Sequence, residues 1–173
     1  MSTPASVLPP LVADFVRHLG TKKNHIETFA KHRDNGAREI WFGGEFLQTA
    51  EISKVEVEEE HWIGRRKFDF LVDRSELVEL KQYTLFADKY IDSTCWRPKR
   101  NNIPDDIRRL QSVKGIKGIN KGWSLTVAFP VAKGEWTKRS SVHLQKYFGV
   151  SQTGFYEIPL SAGCCSIALY NVF

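Results

Sequence analysis

Lys67-Phe68-Asp69-Phe70-Leu71-Val72-Asp73-Arg74-Ser75-Glu76-Leu77-Val78-Glu79-Leu80-Lys81 is the stretch whose reading decides the fold. Lys67 to Val72 and Leu77 to Tyr83 are short apolar-rich runs that read as strands, joined by the turn-like Asp73-Arg74-Ser75. Side chains alternate faces along a strand. Phe68, Phe70 and Val72 therefore share one face while Asp69 takes the other, and Glu79 and Lys81 point the same way. A three-residue turn pairs Val72 with Glu76, which sets Asp69 opposite Glu79 and Lys67 opposite Lys81. A slip of one residue would send the two carboxylates to opposite faces.

Two carboxylates facing each other across a hairpin repel unless a positive charge lies between them. A divalent metal supplies that charge, and oxygen-only ligands suit Mg²⁺, with Mn²⁺ as a substitute, better than Zn²⁺. Lys81, two residues along the same face, can hold a water or offset charge on a phosphoryl oxygen. The combination points to phosphodiester hydrolysis, with Asp69 and Glu79 as metal ligands and Lys81 as their electrostatic partner. The same letters arise by chance on solvated hairpins with surface ion pairs. The flanks argue otherwise: Phe68, Phe70 to Val72, Leu77, Val78 and Leu80 are apolar, and charge inside such strands is costly unless paired or metal-bound.

Outward from the hairpin, Pro9-Pro10 opens a helix with Leu11, Phe15, Val16 and Leu19 at helical spacing, up to Gly20. Thr21 to Asn24 reads as a loop and Ile26 to Lys31 as a short helix. A further helix follows Asp34-Asn35-Gly36, with Ile40, Trp41, Gly44 and Leu47 on one stripe, although Gly43-Gly44 weakens it. From Ile52 the period changes to two, and Glu51 to Glu60 reads as an exposed strand face. Downstream, Thr84 to Pro104 is a long connection, and Pro104-Asp105-Asp106 opens a helix through Leu110 and Val113 that ends at Gly115. Trp123 to Phe129 is a strand, Ser141 to Tyr147 a helix, and Phe155 to Ile158 and Ser166 to Val172 are closing strands. The core order is helix, three strands, helix, strand.

The hairpin motif and this order resemble the PD-(D/E)xK nuclease superfamily with its restriction-endonuclease-like fold, over roughly residues 38–129. The resemblance implies one α/β domain over 1–173, a mixed sheet flanked by helices in the order α-β-β-β-α-β, with terminal additions. It implies a metal-dependent endonuclease with Asp on the second strand and Glu-x-Lys on the third, matching Asp69 and Glu79-Leu80-Lys81. Many members add a helix glutamate as a metal ligand. Glu45 is the first choice and Glu39 the second; six residues apart, they face different directions, so one of them serves. Gln82 matches a polar residue that several members carry after the motif, placed to contact substrate or water. The residue before Asp69 is Phe68 where the family name has proline. DNA is the substrate the resemblance favours over RNA, and two-strand cutters of this kind form homodimers. A non-catalytic nucleic-acid-binding or assembly subunit with the same fold is the rival reading.

Composition fits this picture. The chain has 173 residues, 42% apolar and 26% charged, enough for one core without staples. Three cysteines, two of them adjacent (Cys164, Cys165), make neither a disulfide framework nor a zinc spacing. No run approaches the roughly 20 apolar residues that span a bilayer, and MSTPASVLPP lacks the pattern of a signal peptide, so a cytoplasmic protein without a membrane partner is expected. The net charge of +5 leans toward polyanions, and Arg97, Lys99, Arg100, Arg108 and Arg109 are the candidate grip on a nucleic-acid backbone. Trp96 beside them is a candidate for base stacking. Lys114 to Lys121 has the wrong order of Gly, Lys and hydroxyl for a P-loop.

Overall fold

The structure, a computed structural model, describes residues 5–31, 36–85, 91–96, 102–150 and 152–173. Helices α1 (Leu8–Thr21), α2 (Lys23–Lys31) and α3 (Gly36–Ile52) precede strands β1 (Val57–Ile63), β2 (Arg66–Val72) and β3 (Glu76–Thr84). A π-helical turn at Asp92–Trp96 and helix α4 (Ile103–Gln111) lead to β4 (Lys121–Val131). Helix α5 (Glu135–Tyr147) and strands β5 (Gln152–Pro159) and β6 (Cys164–Asn171) complete the chain.

The central hairpin takes the expected register, with Val72 paired to Glu76, Leu71 to Leu77 and Phe70 to Val78. Its turn places Asp73 and Arg74 in the left-handed region, at φ 47° and 56°. The Ser75 N–H donates to the Val72 carbonyl at 3.1 Å, and the Arg74 Nε–H reaches both Glu56 carboxylate oxygens at 3.0 Å. These contacts hold a turn that is otherwise disfavoured for non-glycine residues.

The fold is mixed α/β. One open six-stranded sheet runs β1-β2-β3-β4-β6-β5, parallel between β3 and β4 and antiparallel elsewhere. The parallel step is a crossover through α4, as parallel neighbours require. Alternation on the strands then divides the core. Val78 and Leu80 of β3 and Trp123, Leu125, Val127 and Phe129 of β4 pack with Leu11, Phe15, Phe42 and Phe46 of α1 and α3. The opposite face packs Leu71, Leu77, Tyr83, Ala128 and Tyr170 against α4 and α5, in two clusters.

Several element bounds differ from the sequence reading: α1 includes Thr21 and α2 already begins at Lys23, so most of the loop expected over Thr21 to Asn24 is helical. Helix α3 runs on to Ile52, and the strand expected from Ile52 starts at Val57, so Glu51 is helical. The helix runs through Gly43-Gly44, and Gly43 lies toward the sheet, where a Cβ would make an ordinary 3.6 Å contact with the Phe70 ring. Helix α5 begins at Glu135, ahead of the expected Ser141, because Trp136 and Ser140 are buried and anchor its first turns. Cys95, Cys164 and Cys165 are all free and buried. Among the described residues, no helix is long and apolar enough to cross a membrane.

Glu76 ties the first helix to the sheet. Its carboxylate accepts from the Ser6 hydroxyl at 2.6 Å, the Val7 N–H at 3.1 Å and the Trp123 indole N–H at 2.8 Å. Removing it strands a buried indole donor and loosens the start of α1. Glu76→Ala is expected to cost about 2–4 kcal/mol, read as a lower urea midpoint with an unchanged slope. An unchanged midpoint would show that the α1 junction carries none of the stability.

Candidate active site

The β2–β3 ladder stops at Phe70 and Val78. One step further, where continued pairing would set Asp69 against Glu79, Asp69 Oδ2 accepts the Leu80 N–H at 2.7 Å. A side-chain oxygen thus satisfies a backbone donor of β3, and the two strands part at that point. A cavity of about 470 Å³ opens there, lined by Glu39 and Gly43 of α3, Glu59 and Glu60 of β1, Asp69, and Gln82.

Glu79, on the opposite face of β3 from Leu80 and Gln82, is 1% exposed and does not line this cavity. Burial pushes its carboxyl up to about 10, helped by repulsion from Asp69 and Asp106 and by a hydrogen bond to Asp69, against the pull of Arg109. The two carboxyl groups that the register was expected to bring together are therefore in contact. Burial and the neighbouring carboxyls favour the neutral form of Glu79, and Arg109 opposes them.

Helix α4 brings two further charged groups to the same place. Asp106 is fully buried, and burial lifts it to about 7 although Lys81 and Arg109 pull it down. Lys81 Nζ lies 3.9 Å from Asp106 Oδ2 and 3.7 Å from Glu39 Oε1. Burial lowers the Lys81 value, but Asp106, Glu39, Asp69 and Glu79 outweigh it, so the net shift is upward and the side chain stays an ammonium. Arg109 sends one guanidinium nitrogen to 2.8 Å from Glu79 Oε1 and the other to 3.7 Å from Asp106 Oδ1. It also donates to the Lys67 carbonyl and lies over the Phe68 ring at 5.8 Å.

Four acidic side chains, Glu39, Asp69, Glu79 and Asp106, thus meet two cations, Lys81 and Arg109. Glu79 Oε1 and both Asp106 oxygens are buried without a hydrogen-bond donor, the 2.8 Å approach of Arg109 to Glu79 being close but badly directed. An all-oxygen, electron-rich set with orphaned acceptors suits a hard divalent cation. Among the described residues, no three Asp, Glu, His or Cys side chains already stand as a ligand set. The Arg109 guanidinium approaches both Glu79 and Asp106.

The sequence-derived candidates fall out unequally. Asp69, Glu79 and Lys81 come together. Gln82 is on the other face of β3 but lines the cavity, its amide donating to Thr84 Oγ1 at 2.9 Å. Glu45, the first choice for the helix carboxylate, does not join them: its Oε2 pairs with His18 Nε2 of α1. The phase of α3 turns Glu45 toward the helix layer and Glu39 toward the sheet, so the second choice lies beside Lys81. Arg109 points inward and pairs with Glu79, so it is no free phosphate contact. Arg108 is exposed, its guanidinium 5.7 Å from the Phe148 ring. Arg97, Lys99 and Arg100 lie outside the described residues. Trp96 is fully buried and stacked on His143, which removes it as a base platform.

Asp106 is the residue the sequence reading passed over. It stood as half of a helix-opening Asp-Asp pair, whose usual work is to favour the helix dipole. The signal that separates it from Asp105 is its phase: Ile103, Ile107 and Leu110 mark the inward stripe of α4, and Asp106 and Arg109 fall beside that stripe. Compared with known proteins, the chain matches no family model, no curated sequence and no solved structure.

Proposed function

We propose that this chain is a Mg²⁺-dependent endonuclease, one domain with a restriction-endonuclease-like core, that hydrolyses phosphodiester bonds in DNA. The observation that carries the reading is the contact of Asp69 with buried Glu79 where β2 and β3 part, with Lys81 two residues along the same face. The order α3-β1-β2-β3-α4-β4, with its antiparallel hairpins and parallel β3–β4 crossover, supports the core assignment.

Asp69 and Glu79 would hold the cation, with Glu39 replacing Glu45 as the helix carboxylate nearest the site. When bound, Mg²⁺ would polarise a phosphoryl oxygen and acidify a water. Lys81 supplies fixed positive charge for the attacking water or the phosphoryl oxygen. Its raised proton affinity makes it a donor and not a general base at neutral pH. Gln82 offers its side-chain carbonyl to substrate or water from the cavity wall.

One observation favours a second reading, a nucleic-acid-binding module without cleavage: Arg109 neutralises Glu79 from within the protein. Cleavage of plasmid DNA, single-stranded DNA and RNA with Mg²⁺, Mn²⁺ or EDTA separates the two. Metal-dependent cutting that falls about 10²–10³-fold in Lys81→Ala, the scale of one lost transition-state donor, is the expected result. Metal-independent binding without any cutting, unaltered in Lys81→Ala, would hand the protein to the second reading.

A further inference from the structure

The geometry points to Asp106 as an additional metal ligand of this centre, on the α4 side of Glu79, with Arg109 as the internal cation that the metal must displace. This rests on the metal-dependent reading of Asp69 and Glu79 and extends it to residues that neither the hairpin motif nor the helix glutamate includes.

Asp106 is 0% exposed, and neither of its oxygens receives a hydrogen bond. Its nearest cations, Lys81 at 3.9 Å and Arg109 at 3.7 Å, stand beyond hydrogen-bond reach. Buried carboxylates kept for structure are normally saturated with donors, because an orphaned one costs several kcal/mol or about that much in proton uptake. Ile103, Ile107 and Leu110 on the same helix are buried as well, so Asp106 is a charged group on a largely buried helix. What an unsaturated, inward-facing carboxylate does supply is lone pairs for a cation.

The wall opposite is made of further oxygens. Ser124 pairs with Glu79 and Thr126 with Lys81 across the parallel β3–β4 ladder, so their side chains share the face beneath α4. Both are fully buried, and neither hydroxyl oxygen has a hydrogen-bond partner. Orphaned hydroxyls beside orphaned carboxylates are the setting in which a hydrated hard cation is held. Arg109, which also donates to the Lys67 carbonyl, is the more exposed of the two cations here. Its side chain is 32% exposed, and its grip on Glu79 is a close approach without a directed hydrogen bond.

Mn²⁺ binding to the full chain, followed by electron paramagnetic resonance and calorimetry, tests this in wild type, Asp69→Asn, Asp106→Asn and Arg109→Gln. Asp106→Asn is expected to weaken Mn²⁺ about 10- to 100-fold. It should melt at or above wild type without metal, since it removes an unsaturated charge. Arg109→Gln is expected to tighten Mn²⁺ several-fold. If Asp69→Asn loses Mn²⁺ while Asp106→Asn binds as wild type does, the role of Asp106 is overturned and the nuclease reading stands. Failure of both wild type and Arg109→Gln to bind Mn²⁺ overturns both. Should Asp106→Asn not fold, Arg109→Gln decides: unchanged or weaker binding overturns the inference.

Discussion

Asp69→Asn is expected to lose on the order of 10³-fold or more of Mg²⁺-dependent cleavage while the folded protein melts at or above the wild-type temperature. The two halves of this result come from the two roles of one side chain. One oxygen of Asp69 accepts the Leu80 N–H at 2.7 Å, a bond that holds the parted end of the hairpin, and an asparagine carbonyl can accept it equally. The other role is charge. Asp69 stands against Glu79, and removing its charge relieves a repulsion that contributes to holding Glu79 protonated. The folded state should therefore gain while the cation site loses a ligand. Asp69→Ala separates the roles further. It deletes the acceptor as well, so cleavage is lost together with about 1–2 kcal/mol of stability from the stranded amide. Cleavage rates and thermal melts of the pair make the measurement. Full activity in Asp69→Asn would reduce Asp69 to a strand cap and remove the metal-site reading with it.

The hairpin was legible because everything that fixes it is local. The turn residues, the period of two and the flanking apolar residues together set Val72 against Glu76, and that register brings Asp69 to Glu79. Where the ladder gives way could not be read, since a side chain displacing a ladder partner leaves the same letters in place. The helix carboxylate failed for a different reason. Glu39 and Glu45 both lie on α3, and only the rotation of that helix against the sheet separates them. Phe42, Gly43 and Phe46, packing on the sheet, set the rotation, and His18 of a distant helix takes Glu45. The helix expected through Gly43-Gly44 is present despite the helix cost of glycine. Asp106 was read only as part of the helix opening, since helix-opening carboxylates are common. Its phase relative to Ile103 and Ile107 was in the sequence; the orphaning of its oxygens was not, because that depends on what α4 packs against. The pairing of Arg109 with Glu79 was hidden for the same reason: a cation on a half-buried helix face goes first to the charge beneath it.

The second large effect is a linkage between pH and metal. Burial, with repulsion from Asp69 and Asp106, sets Glu79 at about 10 in the metal-free protein, and burial sets Asp106 at about 7. Ordinary values for the two groups are 4.5 and 3.8. Both shifts are upward, so the folded state binds protons that the unfolded chain gives up. The stability tied to the neutral forms is whole below about pH 4. It declines as pH rises through the folded values, with a slope of about 1.4 kcal/mol per pH unit for each proton held. The metal-free protein should thus melt progressively lower from pH 5 to pH 8. A divalent cation needs the carboxylates ionised, so its binding at neutral pH must expel protons, and its affinity should rise about tenfold per pH unit for each one expelled. Saturating Mg²⁺ then offsets much of the alkaline loss of stability, through the free energy of ligand binding to the folded state alone. Glu79→Gln imitates the protonated form. It should flatten the metal-free melting profile above pH 6, while removing the Mg²⁺ stabilisation. Melting curves at several pH values with and without Mg²⁺ give the first part. Calorimetry in two buffers of different ionisation enthalpy counts the protons. A Mg²⁺ affinity that is flat between pH 6 and 8, with no proton release, would show that the buried carboxyls never meet the metal. The protons on Glu79 and Asp106 would then be structural, and the internal pairing with Arg109 would be the resting arrangement of a protein that binds without cutting.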